Sequence, residues 1–233
     1  MKYLISVMFP TIALALAGCG QAPTQGRANN GQDKPAVTTP TAKLSPTEQI
    51  LAAAEPFEKL TEIAFSAPLR EIDKTIIEAR SAASSVRTLL SAASVSNTDK
   101  LFNDIDRARN SEDRAGLALA SIEIYRGIVG TVPAGTKVPP AVSLLDYAGF
   151  RYQADLKAVP PRWKDMSEAM EFARSQWSSV APKLNNDPLA AIFEKALVNM
   201  EKAVANKDAA LAESSATEEL NLVDKLEVYF ASF

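Results

Sequence analysis

Apolar residues recur at intervals of three and four along almost the whole chain beyond residue 45, a spacing that places them on one face of an α-helix. No segment between turn residues alternates with the period of two that a half-buried strand needs. Clusters of proline, glycine and asparagine, which end helices, separate the apolar stripes. The pattern predicts an all-α, antiparallel helical bundle of about six to eight helices.

Polar residues and prolines mark where several of these helices begin. Residues 45–48, Ser-Pro-Thr-Glu, combine an N-cap, a proline at the first helical position and a glutamate that completes a capping box. Pro56 lies inside the segment that follows and is expected to bend or split it. A second helix is predicted to begin at Pro68 and to carry an unbroken apolar stripe to residue 93. The next break is therefore predicted at residues 96–99, Ser-Asn-Thr-Asp.

Two stretches of the chain resemble each other. Residues 104–108 (Asp-Ile-Asp-Arg-Ala) match residues 199–203 (Asn-Met-Glu-Lys-Ala) in character, and Asp113 and Asp208 follow at the same spacing. Both copies are typical of a helix, a tight turn and a second helix. Alanine-rich helices also produce such matches by chance. The sequence therefore leaves open whether the bundle consists of two related helical-hairpin halves.

The first 19 residues follow a different pattern. Lys2 precedes an uncharged, mostly apolar run over residues 4–16, which is shorter than the roughly 20 residues that cross a bilayer. A cationic start, an apolar middle and a small-residue end are typical of a secretory signal peptide. The run leads into Leu16-Ala17-Gly18-Cys19, and Cys19 is the only cysteine in the chain.

This ending resembles the lipobox of bacterial lipoproteins. The resemblance implies that the thiol of Cys19 receives a diacylglyceryl group, that the signal peptide is removed before Cys19, and that the new amine is acylated. Several acyl chains make a firm membrane anchor, whereas one is marginal. In enteric lipoproteins an aspartate after the cysteine signals inner-membrane retention. Gly20 in that position therefore implies that this protein goes to the outer membrane, at its periplasmic face.

Composition divides the chain into three parts. Residues 1–18 are predicted to be the signal peptide, and residues 19–44 the lipidated cysteine with a disordered tether that is rich in glycine, proline, threonine and glutamine. Residues 45–233 are predicted to form the helical bundle domain, which is long enough for one substantial core.

Composition also excludes several classes of function. The chain contains no histidine, so the commonest general base and the usual zinc and haem ligand are missing. Its formal net charge is −3 without any basic run, which argues against nucleic-acid binding. No nucleophile elbow, phosphate loop or dinucleotide fingerprint is present. We therefore expect a protein that is not an enzyme and has no cofactor and no bound metal.

The most unusual segment covers residues 144–155, where carboxylates, an arginine and aromatic residues share one predicted helix. Gly149 in its inward stripe indicates either close helix contact or space for a guest molecule. The segment is either a surface ladder of ion pairs or the polar lip of a ligand cleft. The candidate lip residues are Asp146, Tyr147, Arg151 and Tyr152.

The next predicted helix carries both tryptophans of the chain on one face. Residues at this spacing are either core anchors or the lining of an apolar pocket. The candidate lining residues are Trp163, Met166, Met170 and Trp177.

Two functions follow from these patterns. The first is a lipid-tethered, non-catalytic binding or accessory module that acts on a protein partner in the cell envelope. The second is a carrier that holds a small apolar or amphipathic molecule between its helices. A cavity of several hundred Å³ among the helices would favour the carrier, and a filled core would favour the binding module.

Overall fold

Eight α-helices make up most of the described structure. The computed structural model describes residues 44–185 and 187–232, so the predicted signal peptide, Cys19 and the tether up to residue 43 lie outside the described residues. Within those two ranges there is no strand, and the predicted all-α bundle is confirmed. The helices are α1 (Pro46–Ile63), α2 (Leu69–Val86), α3 (Ala92–Asn110), α4 (Arg114–Val129), α5 (Pro140–Lys157), α6 (Trp163–Val180), α7 (Pro188–Asn206) and α8 (Ala209–Ala231).

The start of α1 matches its predicted capping box. The Ser45 hydroxyl accepts a hydrogen bond from the Glu48 N–H at 3.3 Å, and the Glu48 carboxylate accepts one from the Ser45 N–H at 2.7 Å. Pro56 does not split the helix, which continues to Ile63. The carbonyl that loses its partner at this proline belongs to Ala52. Because Ala52 is exposed, water can satisfy that carbonyl and the helix continues.

The predicted break at residues 96–99 is wrong. Helix α2 ends at Val86, a short 3₁₀ turn covers Arg87–Leu89, and α3 begins at Ala92. Ser91 caps α3 by accepting a hydrogen bond from the Ser94 N–H at 3.1 Å. Three of the four polar residues at 96–99 lie on the solvent-facing side of the first turns of α3 rather than in a turn. Leu90 and Ser91 are extended, and Ala93, the last residue of the predicted stripe, is exposed on α3.

The eight helices form two successive sets of four with the same order. Helices α5, α6, α7 and α8 begin 94 to 96 residues after α1, α2, α3 and α4 respectively. A 3₁₀ turn follows α2 in the first set, and another, Ala181–Leu184, follows α6 in the second. The packing also repeats, because α1 contacts α2 and α4 as α5 contacts α6 and α8, and α3·α4 corresponds to α7·α8. The two related halves that the sequence left open are therefore present in the fold.

Buried positions repeat with the helices. The buried residues of α2 (Ile72, Thr75, Ile76, Ala79, Ala83, Val86) correspond, 94 positions on, to the buried residues of α6 (Met166, Ala169, Met170, Ala173, Trp177, Val180). In the other three helix pairs the offset is 95 positions, and the shared core positions are again buried in both halves. Each position in one half thus has an equivalent position in the other.

The tight turns between the last two helices of each half are also equivalent. The N–H groups of Asp113 and Asp208 donate to the carbonyls of Ala108 and Ala203 at 2.8 and 2.9 Å. The residue before each aspartate has a positive φ, 55° in one turn and 52° in the other. Each aspartate side chain then caps the following helix. The matching residues noticed in the sequence mark this shared turn.

Helices α4 and α5 join the halves. Both carry more buried positions than their equivalents, because they pack on each other in addition to their partners within each half. One side of α4 packs on α5, and the equivalent side of α8 is largely exposed. In the same way, one side of α5 packs on α4, and the equivalent side of α1 is largely exposed. Helix α5 therefore lies in the middle of the described structure, in contact with α1, α4, α6 and α8.

We expect Ser91→Ala to lower the free energy of unfolding by about 1 kcal/mol, because the N-cap hydrogen bond to α3 is lost. Ser96→Ala is the matched control and should have no effect or stabilise slightly, since it lies in an exposed helical position. Urea unfolding followed by circular dichroism measures both. A larger loss of unfolding free energy in Ser96→Ala than in Ser91→Ala would instead place the start of α3 at residues 96–99, as the sequence predicted.

Candidate functional site

The candidate lip residues lie on two different sides of α5. The strongest charges acting on Asp146 come from α1 and α8, whereas Tyr147 and Arg151 bond to α4 and α6. Tyr152 is fully buried, and its hydroxyl donates to the Met200 carbonyl of α7 at 3.1 Å. The structure therefore does not bring the four residues together into one lip.

Tyr147 is the centre of a hydrogen-bonded network at the junction of the halves. Its buried hydroxyl donates to the Glu123 carboxylate at 2.6 Å. The same oxygen accepts from the guanidinium groups of Arg151 at 3.2 Å and Arg126 at 3.4 Å. The Phe172 ring meets the Tyr147 ring edge-on at 5.2 Å. Each polar group in this network has a partner within the chain, so the network fits a structural role.

The residues proposed to line an apolar pocket instead fill the core between α6 and its neighbours. Met166, Met170 and Trp177 are buried, and Trp163 is half-buried. The Trp177 ring stacks on Phe193 with ring centres 4.4 Å apart, and its Nε1 donates to a Glu194 carboxylate oxygen at 2.9 Å. Met166, Met170 and Trp177 are equivalent to core positions of α2, which favours packing as their role.

An open groove of about 180 Å³ lies elsewhere, between the end of α2 and the start of α3. Its apolar floor includes Leu90, Val95 and Phe102. The arginines at its rim are paired, Arg87 with Asp99 and Arg80 with Asp106. This volume is below the roughly 300–1,000 Å³ of usual small-molecule sites. None of the eight predicted ligand-site residues lines it.

A group of acidic residues gathers where α1, α5 and α8 meet. The strongest charges acting on the Asp146 carboxyl are those of Glu58, Glu227, Glu219 and Asp224, and all of them are negative. Asp146 is 8 % exposed, and its burial, reinforced by these charges, raises its pKa well above the usual range. Burial and the nearby acids also raise the pKa of Glu58 to about 8.

Glu219 is the most unusual member of this group. It is 0 % exposed, and neither carboxylate oxygen has a hydrogen-bond partner among the described residues. Burial raises its pKa well above the usual range. Its carboxylate lies directly against Gly149, where it occupies the space that a Cβ would need. Gly149 thus reflects close helix contact rather than space for a guest molecule.

Asp155 is a second buried acid with an unpartnered oxygen. It is 1 % exposed, and its Oδ2 makes no hydrogen bond within the described residues. The guanidinium groups of Arg151 and Arg162 approach it only to 3.9 Å. Burial therefore outweighs their effect and raises the pKa of Asp155 to about 7.

The first half of the chain shows what these acids replace. At the 95-residue offset, Asp155 is equivalent to Leu60 and Glu219 to Ile124, and both of these residues are fully buried. Asp146 is equivalent to Leu51 in the same way. The second half therefore carries carboxylates at positions where the same fold needs only aliphatic side chains. The sequence reasoning missed Glu219, although this offset and Gly149 were signals that could have found it.

Two further observations concern the part of the chain that the structure describes. No three acidic residues there are arranged so that they could hold a metal ion. None of its helices combines the length and the apolar character needed to cross a membrane.

Comparison of the chain with family models, with characterised proteins and with solved structures finds no match. Its class is therefore defined by its own architecture, an all-α bundle of two equivalent four-helix halves with buried acids in the second half.

We expect Gly149→Ala to lower the free energy of unfolding by about 1–3 kcal/mol, because the new Cβ collides with Glu219 and Leu220. Gly127→Ala is the matched control. Apart from its chain neighbours and the nearby backbone of α4, no atom lies within 4 Å of its new Cβ, so the change should stabilise α4 by about 1 kcal/mol.

A double-mutant cycle tests whether Glu219 causes the Gly149 clash. Combining Gly149→Ala with Glu219→Ile recreates the Ala54 and Ile124 pair of the first half. When residue 219 is isoleucine, Gly149→Ala should lower the free energy of unfolding by less than it does in the natural sequence. Chemical denaturation gives all four free energies, and an unchanged cost would contradict the proposed contact.

We expect the free energy of unfolding to fall as the pH rises from 5 to 8. Glu58, Asp146, Asp155 and Glu219 have raised pKa values in the folded chain, whereas their unfolded values are near 4. Over this window the folded state binds more protons than the unfolded state, so rising pH favours unfolding.

Glu219→Ile tests this pH dependence. The change should stabilise the protein by about 1–4 kcal/mol at pH 8 and by less at pH 5, because an unpaired buried acid is replaced by an apolar side chain. Glu218→Gln, at the adjacent exposed position, is the control and should leave the pH dependence unchanged. Stability curves in urea at both pH values are the measurement. Equal effects of Glu219→Ile at both pH values would contradict the assignment.

Proposed function

We propose that this protein is a lipid-anchored, non-catalytic binding or accessory module for a protein partner in the bacterial cell envelope. The observation that carries the proposal is the single cysteine of the chain, Cys19, which lies where the signal-peptide pattern ends. Attached through this residue, the bundle would face the periplasm from the outer membrane. The tether of residues 20–44 would allow the bundle to reach tens of ångströms from the lipid surface.

The architecture supports a binding role. Stacked helical pairs present long, regular surfaces, and proteins built in this way commonly act as scaffolds for partners. The fold consists of two equivalent four-helix halves. The packing also favours this role over the carrier, since Trp177 is engaged by Phe193 and Glu194 of its own chain.

Cys19→Ser should abolish labelling of the protein by a fatty-acid probe in growing cells and should leave the precursor unprocessed by the lipoprotein pathway. Thr41→Ser, in the tether, should change neither result. Gel mobility and probe fluorescence report both effects. Labelling that survives Cys19→Ser would refute the lipid anchor.

Tryptophan fluorescence separates the two binding hypotheses. Adding lipid extracts to the purified protein should not shift its emission, because Trp177 is already buried against protein atoms. A saturable shift that is lost in Trp177→Phe would favour the carrier instead.

A further inference from the structure

The open groove between the end of α2 and the start of α3 has an equivalent place in the second half of the chain, where an indole ring lies. Ala83 and Thr98 line the groove. At the offsets of α2 and α3, their equivalents are Trp177 and Phe193. The Trp177 ring is buried and stacks on Phe193 with ring centres 4.4 Å apart. The groove is thus the space that a tryptophan fills in the second half and that alanine and threonine leave open in the first.

An ion pair that occurs in both halves supports this equivalence. Arg80 of α2 pairs with Asp106 of α3 at 2.6 Å. Their equivalents, Arg174 of α6 and Glu201 of α7, also pair at 2.6 Å. The two helices that border the groove are therefore joined at the same points as the two helices around Trp177.

The size of the groove suits one aromatic side chain. Its volume is about 180 Å³, and an apolar cavity of about 150 Å³ engineered in another protein accepts benzene. Leu90, Val95 and Phe102 give the groove an apolar floor. A single ring from a larger partner therefore fits where a whole drug-sized ligand does not.

The polar groups of the groove complement an indole. In the second half one carboxylate, that of Glu194, accepts hydrogen bonds from both Arg174 and the Trp177 Nε1. Its equivalent, Asp99, lines the groove and accepts two hydrogen bonds from Arg87 at 2.9 Å. A carboxylate offers about four lone pairs, so Asp99 can also accept from an indole N–H.

The rim also favours an aromatic ring over an aliphatic side chain. The Arg80 guanidinium lines the groove and already lies 4.4 Å from the centre of the Phe102 ring. A guanidinium is attracted to the electron-rich face of an aromatic ring. The charge at the rim therefore matches a ring that enters beside Arg80.

The chain itself does not supply this tryptophan. Its two tryptophans are Trp163 and Trp177, and no other residue of the sequence is one. Trp177 is buried, and Trp163 is half-buried and packed against the core. Neither the residues that precede α1 nor a second copy of the bundle therefore provides an indole for the groove.

We propose that this groove is a docking site for a tryptophan side chain of a partner protein, whose ring lies against Ala83 and Thr98 and whose N–H donates to Asp99. The proposal rests on the proposed binding role, because it names the surface and the residue type that a protein partner would use. It does not depend on the lipid anchor, which Cys19→Ser tests separately. A negative result for the groove therefore leaves the anchor untouched.

Titration of the ¹⁵N-labelled full chain in mild detergent with the end-blocked peptide Gly-Gly-Trp-Gly-Gly tests the proposal. We expect saturable shifts of the amide NMR signals of Ala83, Val95 and Thr98, with a Kd on the order of 1 mM because a single side chain makes few contacts. The same peptide with leucine at its centre is the control and should cause no saturable shift there. Absence of saturable shifts with the tryptophan peptide, or equal shifts with the leucine peptide, would overturn the proposal.

Ala83→Trp should fill the groove from within the chain. It introduces the residue of the equivalent position, so it should abolish peptide binding while the melting temperature stays the same or rises, because the ring buries apolar surface. Ile77→Trp is the matched control, since it adds the same side chain at an exposed position of α2 that does not line the groove. This control should bind the peptide normally. Unchanged binding by Ala83→Trp would refute the site.

A peptide whose indole nitrogen carries a methyl group tests the contact with Asp99. Methylation removes the donor but keeps the ring, so this peptide should bind the natural protein about fivefold more weakly. In Asp99→Ala the two peptides should bind equally, because the acceptor is missing. Equal binding of both peptides to the natural protein would overturn the proposed hydrogen bond and the ring orientation that depends on it.

Free indole separates a partner's side chain from a small molecule. The tryptophan peptide should bind at least as tightly as indole, because the backbone beside the ring adds contacts at the rim of the groove. Indole that binds more tightly than the peptide would assign the groove to a small aromatic molecule and would overturn the partner proposal.

Discussion

The packing of α4 against α5 is the contact on which the rest of the fold depends. Each half contains one helix, α4 in the first and α5 in the second, with a side that no helix of the same half covers. Burying apolar surface on both sides is what allows α4 to carry Ile122, Tyr125 and Val129 in addition to its own half's core. The same contact places α5 at the centre, where its polar residues must find partners or remain buried without them.

The two halves differ in the free energy that burying these acids costs. The first half uses Leu60 and Ile124 where the second uses Asp155 and Glu219, and the backbone arrangement is the same. Stability alone favours the aliphatic choice, because a buried carboxylate oxygen without a hydrogen-bond partner opposes folding. Acids retained at such positions are candidates for function.

Much of the fold could be predicted from the sequence, because the periodic stripes and caps are local signals. The α6 stripe from Trp163 to Val180 and the capping box at Ser45 are where they were expected. The break before α3 was missed, since exposed polar residues such as Ser96 and Asn97 look alike in a turn and on a helix surface. Glu219 was missed because hydropathy does not place a carboxylate in a core. The separation of Asp146 from Tyr147 depends on which neighbours surround α5, and one helix alone does not contain that information.

The exposed side of α8 determines how far this architecture can extend. Some residues of α4 pack against α5. The equivalent positions of α8 are occupied by Glu213, Thr217 and Asp224. Charged and hydroxyl groups at these positions discourage another unit from stacking there. Glu55 and Lys59 have the corresponding effect on α1. Both faces therefore disfavour the stacking of a second copy of this bundle, which opposes growth into filaments.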